Sequence, residues 1–212
     1  VFPPDVEYLG RLVQHPVLNA EAREFLFRQR RIHPAVVSWM GISSISVATP
    51  CWKYGKPYYD APSLLFPYRD RNGRLMNVQS RYLGHKEGTP RFRFPSGAEC
   101  RIYGLQVLER LKKGEGLWLS EGVTDCLALL SSGRKAIAIP GATLLKPEDV
   151  KLLASLRVEK GTVFHIFPDR DEAGERLYRQ LVRAANDMGA CLIRDELPEG
   201  VKDFGQWWAG RA

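Results

Sequence analysis

Several signals that mark other classes of protein are missing from this 212-residue chain. No run of 18 or more apolar residues occurs, so we predict no membrane-spanning helix. The first residues lack the basic-then-apolar pattern of a secretory signal. No P-loop of the type G-x-x-x-x-G-K-[ST] occurs, so the sequence shows no sign of an ATPase of that class. The chain also has no methionine at position 1, which is compatible with a fragment of a longer polypeptide.

Cysteine is scarce, and its four positions are far apart: Cys51, Cys100, Cys126 and Cys191. Because no C-x-x-C pair exists, a zinc ribbon is not predicted. Cys126 and Cys191 lie in apolar stretches, so we expect both to be buried thiols. A reducing, cytoplasmic setting is the simplest account of this pattern.

Charge is unevenly distributed along the chain, whose net charge is +7. Residues 1–115 contain 18 Lys and Arg against 10 Asp and Glu, whereas residues 116–212 contain 13 against 14. This asymmetry predicts a first part that binds a polyanion and a second part that binds metal. The alternative is that the arginine-rich surface serves only solubility.

The hydrophobic pattern predicts two domains, residues 1–114 and 115–212, divided at the glycine- and lysine-rich segment 112–116. The first is predicted to be a small basic α+β subdomain, with Asn72-Gly73 as a two-residue hairpin turn. Its predicted helices cover 4–15, 20–31, 34–41 and 105–113, and its predicted strands cover 63–68, 75–83 and 91–94.

In the second part, strands alternate with helices. This order is typical of an α/β fold, here a four-stranded parallel sheet flanked by helices. The predicted strands are 117–120, 136–139, 162–167 and 190–194, and the predicted helices are 122–132, 147–156, 171–188 and 203–209.

Acidic residues follow two of these strands directly. Glu121 comes after the first strand, and Asp169 and Asp171 come after the third. Ligands of open α/β sheets bind at the carboxyl ends of the strands, so we expect these side chains to meet there. Carboxylate oxygens are the ligands that Mg²⁺ and Mn²⁺ prefer. The alternative is that Glu121 caps one helix and that Asp169 or Asp171 caps another, but the repetition on successive strand-helix units favours a metal site.

The ordered motifs of the second part resemble the Toprim domain, which is shared by bacterial-type primases, topoisomerases and certain nucleases. These motifs are Glu121-Gly122 with Asp125, Ile139-Pro140-Gly141-Ala142, Asp169-Arg170-Asp171 and Lys202-Asp203.

Further motifs resemble the catalytic core of bacterial-type DNA primase in particular, and most of them lie in its basic subdomain. They occur in matching order at residues 27–32, 65–74, 80–84, 90–92, 102–105 and 197–203.

The resemblance implies that Glu121, Asp169 and Asp171 are catalytic residues and metal ligands, supported by Asp125 and Asp203. Mg²⁺ or Mn²⁺ is the implied cofactor. The basic residues implied to bind nucleic acid or nucleotide are Arg30, Arg69, Arg74, Arg81, Arg91, Arg93, Arg101 and Lys202.

Several positions depart from the family pattern. The polar residue expected near Phe94 is absent, and the lysine usual shortly before Tyr103 has no clear match, although Arg101 could substitute for it. Arg31 stands where a glycine is usual, and Gly205 stands where a second acid follows the Lys-Asp pair. The missing acid predicts that one metal site is weaker.

The implied function is that of a primase-type, DNA-dependent RNA polymerase core. It would make short primers on single-stranded DNA from nucleoside triphosphates by metal-assisted nucleotidyl transfer. We expect no membrane partner, and a replicative helicase would be contacted through parts outside this chain. The alternatives are a Toprim nuclease and a non-catalytic module that binds single-stranded nucleic acid.

Overall fold

The computed structural model describes residues 5–49, 59–95, 101–139 and 145–211. The chain forms two compact units, residues 1–100 and 101–212. The predicted division at 114/115 therefore falls inside the second unit. The reason is hydrophobic burial, since Ile102, Leu108 and Leu111 belong to the same apolar core as Leu117. Cys51, Cys100 and the 140–142 part of the Ile-Pro-Gly-Ala motif lie outside the described residues.

The first unit begins with helices at the predicted places. The side chain of Asn19 caps the second helix by accepting a hydrogen bond from Ala22 N at 2.9 Å. Gly41, with φ of 67°, ends the third. The predicted helix over 20–31 is helical but changes type halfway, from α to the wider π-helix. The elements are α1 (Val6–Val13), α2 (Ala20–Arg23), the π-helical segment (Glu24–Gln29) and α3 (Pro34–Met40).

An antiparallel sheet follows, and Leu9 and Val13 of α1 pack against its Leu65 and Val78. The strands lie in the order β1-β2-β3-β4, which are Ser43–Ile45, Ser63–Arg69, Leu75–Tyr82 and Phe92–Arg93.

The predicted hairpin between β2 and β3 is present, but its turn is wider than predicted. Asp70 N donates to Arg74 O at 2.9 Å, so three residues separate this pair instead of two. Gly73 supplies the positive φ of 81° that the turn requires.

The second unit opens with a 3₁₀-helix, Leu105–Arg110, inside the helix predicted over 105–113. Four parallel strands and, among the described residues, four α-helices follow, which confirms the predicted α/β fold with a four-stranded sheet. The strand order is β6-β5-β7-β8. The elements are β5 (Gly116–Ser120), α4 (Val123–Ser131), β6 (Ala136–Ala138), α5 (Pro147–Lys160), β7 (Val163–Ile166), α6 (Glu172–Asp187), β8 (Leu192–Arg194) and α7 (Phe204–Ala209).

Side chains of the strands pack on both faces of the parallel sheet. Leu117 and Leu119 of β5 share one core with Leu156 of α5 and Leu181 of α6. Side chains alternate along a strand, so Trp118 projects to the opposite face, where Arg134 after α4 lies against its ring. Helices therefore cover both faces, as a parallel sheet requires.

The two cysteines of the described residues differ in environment. Cys126 is fully buried in α4, but Cys191 is exposed, so the prediction of a second buried thiol was wrong. Cys191 directly precedes β8, which is an edge strand of the sheet. Side chains alternate between the two faces of this strand, and the Cys191 side chain lies on a face that is open to solvent. Within the described ranges, none of the helices has the length and apolar character needed to cross a membrane.

Candidate active site

The predicted acids gather at the carboxyl edge of the parallel sheet. Glu121 follows β5, and Asp169 and Asp171 follow β7, which is hydrogen-bonded to β5. Asp125 lies in the first turn of α4, and Asp203 is the residue before α7. These carboxylates are close enough to repel one another, because Glu121, Asp125, Asp171 and Asp203 all contribute to raising the pKa of Asp169.

One carboxylate oxygen of Glu121 is buried and unsatisfied among the described residues. Its Oε1 is buried and has no hydrogen-bond partner within the described residues. Burial, followed by repulsion from Asp171 and Asp125, raises its pKa to about 7. A buried carboxylate oxygen without a hydrogen-bond donor raises the free energy of the folded state. A cation or another donor bound at this atom would lower it.

Asp169 is held in a similarly crowded place. Burial is the largest cause that raises its pKa to about 8, and repulsion from Asp125 and Glu121 comes next. The helix α6 passes very close to it, since a Cβ on Gly174 would lie 2.2 Å from Asp169 O and 2.8 Å from Glu121 Oε1. Only glycine fits there, and this lets the first turn of α6 reach both acids.

Both carboxylate oxygens of Asp171 contact other residues. Its Oδ1 accepts from Gly174 N at 3.0 Å and caps α6, and its Oδ2 lies 3.0 Å from Lys202 Nζ. These contacts, the Gly174 hydrogen bond first, lower its pKa. The capping alternative is therefore confirmed for Asp171. Asp203 also caps a helix, since it accepts from Gln206 N at 2.6 Å.

Arg170 sits between the two aspartates and ties a distant segment to them. Its guanidinium donates to Pro198 O at 2.7 Å and to Leu197 O at 2.5 Å, and its backbone N–H donates to Lys202 O at 2.9 Å. These bonds bring Lys202 to Asp171. Sequence reasoning assigned no role to Arg170, and its position inside the Asp-x-Asp motif was the only available signal.

Gly205 is a second residue whose role was missed. Its N–H donates to Asp125 Oδ1 at 2.9 Å, and a Cβ at this position would lie 2.5 Å from the same oxygen. The glycine was interpreted only as the loss of an acid. The structure gives it a positive role, because its bare backbone orients Asp125 toward the site.

The residues fit a hard divalent cation in donor chemistry and charge, but they do not form a ready cage. In the parts of the chain that the structure describes, no three acidic, histidine or cysteine side chains are arranged to hold a metal ion. Glu121, Asp169 and Asp171 therefore do not form the expected cage within the described residues, and Asp171 pairs with Lys202 instead. The remaining pair offers only oxygen ligands, which suit Mg²⁺ or Mn²⁺. Burial first, and then repulsion from neighbouring carboxylates, raises the pKa of both acids, and a bound cation would offset both effects.

The first unit contains a separate cluster of arginines. The guanidinium carbon of Arg81 lies 3.8 Å from the ring centroid of Phe25, and its buried Nε has no hydrogen-bond partner within the described residues. Burial, and then repulsion from Arg30 and Arg91, lowers the pKa of Arg81 to about 10. Arg30, Arg81 and Arg91, three of the residues predicted to bind phosphate, thus lie close enough together to repel one another.

The other predicted basic residues make local contacts elsewhere. Arg69 donates to Gly73 O at 3.0 Å, Arg74 lies 3.5 Å from Asp70, and Arg93 lies 3.1 Å from Asp60. Arg101 belongs to the second unit.

Comparison with known proteins agrees with the site and the sheet. A family described as Toprim-like matches residues 118–207, which include every acid of the site. The DNA primases of Chlamydia muridarum and Chlamydia pneumoniae are 28% and 30% identical over 148 residues. Each match covers 66% of this chain and 24% of the relative, so the chain spans only 24% of the length of these proteins.

Solved structures match over nearly the whole chain. The primase catalytic core of E. coli has a TM-score of 0.70 at 21% identity, covering 95% of this chain and 72% of that one. A DnaG primase catalytic domain bound to single-stranded DNA has a TM-score of 0.69 at 20% identity, covering 94% and 74%. The second unit therefore contains a Toprim-like domain. The chain is a relative of bacterial DNA primases and has the fold of the primase catalytic core, which confirms the resemblance inferred from its motifs.

Proposed function

We propose that this chain is the catalytic core of a primase-type, DNA-dependent RNA polymerase. The observation that carries the proposal is the extent of the fold match. The Toprim domain is shared with topoisomerases and certain nucleases, but the match to primase catalytic cores takes in 95% of the chain and so includes the basic unit. That unit contributes the arginine cluster of Arg30, Arg81 and Arg91.

The reaction would be nucleotidyl transfer. A 3′-hydroxyl attacks the α-phosphorus of a nucleoside triphosphate, a new P–O bond forms, and pyrophosphate leaves. Bound Mg²⁺ or Mn²⁺ would offset the negative charge that builds up on the phosphate oxygens. Glu121 and Asp169 would hold the ion, with Asp171, Asp125 and Asp203 in support.

Other residues of the site would prepare these ligands. Gly174 leaves space for Glu121 and Asp169 to approach each other, and Gly205 orients Asp125. Arg170 holds the segment that carries Lys202. The Lys202 ammonium, released from Asp171, would be free to bind a triphosphate oxygen.

The arginine cluster would bind the template backbone. Guanidinium groups grip phosphates without reading sequence, which leaves the bases free to pair. A solved primase catalytic domain of the same fold is described as bound to single-stranded DNA, which supports this role. Template contacts of Arg69, Arg74, Arg93 and Arg101 stay predictions. So do the cytoplasmic setting and a helicase partner reached through parts outside this chain.

The test is synthesis by the purified protein. The chain is incubated with single-stranded DNA templates, ribonucleoside triphosphates and Mg²⁺ or Mn²⁺, and the products are resolved for dinucleotides and short oligomers. We expect products from the wild type and a loss of at least 100-fold in Glu121→Gln, which keeps the shape but removes the charge. Equal product from both proteins would contradict the proposal. Template cleavage without incorporation would favour a nuclease, and binding without either would favour a non-catalytic module.

A further inference from the structure

Two arginines contact the ring of Phe25, which lies in the π-helical segment Glu24–Gln29. The Phe25 ring is buried, with 5% of the residue exposed. The guanidinium carbons of Arg81 and Arg30 lie 3.8 Å and 5.4 Å from its centroid. Both distances are within the range of a cation–π interaction. One ring therefore contacts two cations that repel each other.

The helix type explains how Arg30 reaches this ring. In an α-helix, neighbours on the surface are three or four residues apart, so residues 25 and 30 would not face each other. Here Arg30 N donates to Phe25 O at 2.9 Å, the five-residue spacing of a π-helix. The wider turn carries Arg30 back over Phe25. Single π-helical turns inside α-helices are frequently found at functional sites.

Arg81 reaches the same ring from the sheet. It lies on β3 opposite Phe92 of β4, whose ring is 5.6 Å from the Arg81 guanidinium. Neither Arg81 nor Arg30 pairs with a carboxylate within the described residues. The aromatic rings replace the acid that usually accompanies a half-buried arginine, and this leaves the hydrogen-bonding edges of both guanidinium groups for a ligand.

We propose that Phe25 is a positioning residue that holds Arg30 and Arg81 side by side, preorganised to bind one phosphate of a single-stranded template. This inference rests on the proposed function, because it assumes that the arginine cluster binds nucleic acid. Without the ring, the two guanidinium groups would separate into solvent. The free energy needed to bring them together again would then weaken binding.

The test is equilibrium binding of a fluorescent oligothymidine by the full chain, without divalent metal, so that catalysis plays no part. Phe25→Met keeps an apolar side chain of similar volume but removes the ring. We expect it to weaken binding about tenfold and to reduce the slope of log affinity against log salt, since fewer phosphates are gripped. Phe25→Tyr restores the ring and is expected to bind within about threefold of wild type.

Phe27 provides a matched control, because it lies in the same π-helical segment and contacts a different arginine, Arg23, at 5.8 Å. Phe27→Met is expected to bind like wild type. Progressively fluorinated phenylalanines at position 25 keep the shape of the ring and remove its negative face, so binding should weaken with each fluorine. This series also covers the case in which Phe25→Met does not fold.

Two results would overturn the inference. If Arg81→Ala weakens binding while the Phe25 substitutions and the fluorinated series do not, the basic unit binds DNA but Phe25 positions nothing. If Arg81→Ala itself binds like wild type, the cluster is not a phosphate site. In that case primer synthesis still decides separately whether the chain is a polymerase.

Discussion

The Lys202 ammonium lies 3.0 Å from Asp171 Oδ2, so a cation of the protein occupies the carboxylate that the resemblance assigns to metal. The pair is partly exposed, with 58% and 39% of the two side chains accessible. Arg170 holds it in place through the Leu197–Lys202 segment. If Asp171 binds metal as proposed, Lys202 would compete with the ion for this carboxylate until substrate draws the lysine away.

Replacing this lysine should strengthen metal binding in the absence of nucleotide. Exposed ion pairs contribute little because water and salt screen them, so Lys202→Met is expected to lower the Kd for Mn²⁺ only about two- to fivefold. Isothermal titration calorimetry measures the effect. Arg176→Met is the control, since it removes a similar exposed pair with Glu172 on α6. Weaker Mn²⁺ binding by Lys202→Met would show that the lysine supports the metal site instead of competing with it.

The acid pair predicts an unusual pH dependence of stability in the metal-free protein. The pKa of Glu121 rises from 4.5 to about 7, and that of Asp169 from 3.8 to about 8. At pH values between the ordinary and the raised pKa, these two carboxyl groups stay protonated in the folded protein but are ionised in the unfolded chain. The free energy of unfolding should therefore fall as pH rises from about 5 to 8.

Neutral analogues should remove this dependence. Glu121→Gln and Asp169→Asn are each expected to raise the free energy of unfolding at pH 8 by about 1–2 kcal/mol, after discounting for solvent screening. Urea denaturation at several pH values in chelator measures the slope. Glu159→Gln, at an exposed position on α5, should leave the slope unchanged. An unchanged slope in the two site variants would mean that neither burial nor mutual repulsion raises the pKa of these carboxylates.

Much of this arrangement was predictable because local patterns determine it. The stripe that includes Leu177 and Leu181 predicted α6, and acids placed directly after strands predicted the edge where they gather. Regular alternation of strand and helix leaves few topologies for the sheet. Glu121 and Asp169 could thus be named before any coordinates were known.

What could not be predicted depends on contacts between distant residues. Gly205 looked like a lost acid because nothing in the local sequence indicates that its N–H meets Asp125, 80 positions away. The change from α- to π-helix at Glu24 has no propensity signal. The unit boundary was misplaced because burial of Ile102 and Leu108 depends on the tertiary core, not on the glycine-rich segment that follows.

Arg31 provides a test of stored backbone strain. It is the only described residue other than glycine with positive φ, at 52°, and the family pattern has glycine there. This conformation costs a side chain about 1–2 kcal/mol, partly offset by the greater freedom of glycine when unfolded. Arg31→Gly is expected to raise the free energy of unfolding by about 1 kcal/mol, measured by urea denaturation. Arg31→Ala should give no such gain, and stabilisation by alanine equal to that by glycine would contradict the strain explanation.

Gly205 tests whether the missing acid can simply be restored. A helical glycine normally gains stability on change to alanine, but here a Cβ would meet Asp125 Oδ1 at 2.5 Å. Gly205→Ala should therefore lower the free energy of unfolding by about 1–3 kcal/mol, and Gly205→Asp should weaken Mn²⁺ binding instead of adding a ligand. Gly210→Ala is the control, since its nearest contact would be 3.4 Å away. Tighter Mn²⁺ binding by Gly205→Asp would mean that the site can accept a further acid.

The most direct test of the account is a crystal structure of the chain soaked in Mn²⁺, with anomalous data to locate the ion. We expect a single strong peak bound to oxygens of Glu121 and Asp169, with the Lys202 side chain moved away from Asp171, and no such peak in Glu121→Gln. A saturating soak that leaves the Oε1 of Glu121 without an ion, or that places Mn²⁺ away from this edge of the sheet, would contradict the proposed metal centre.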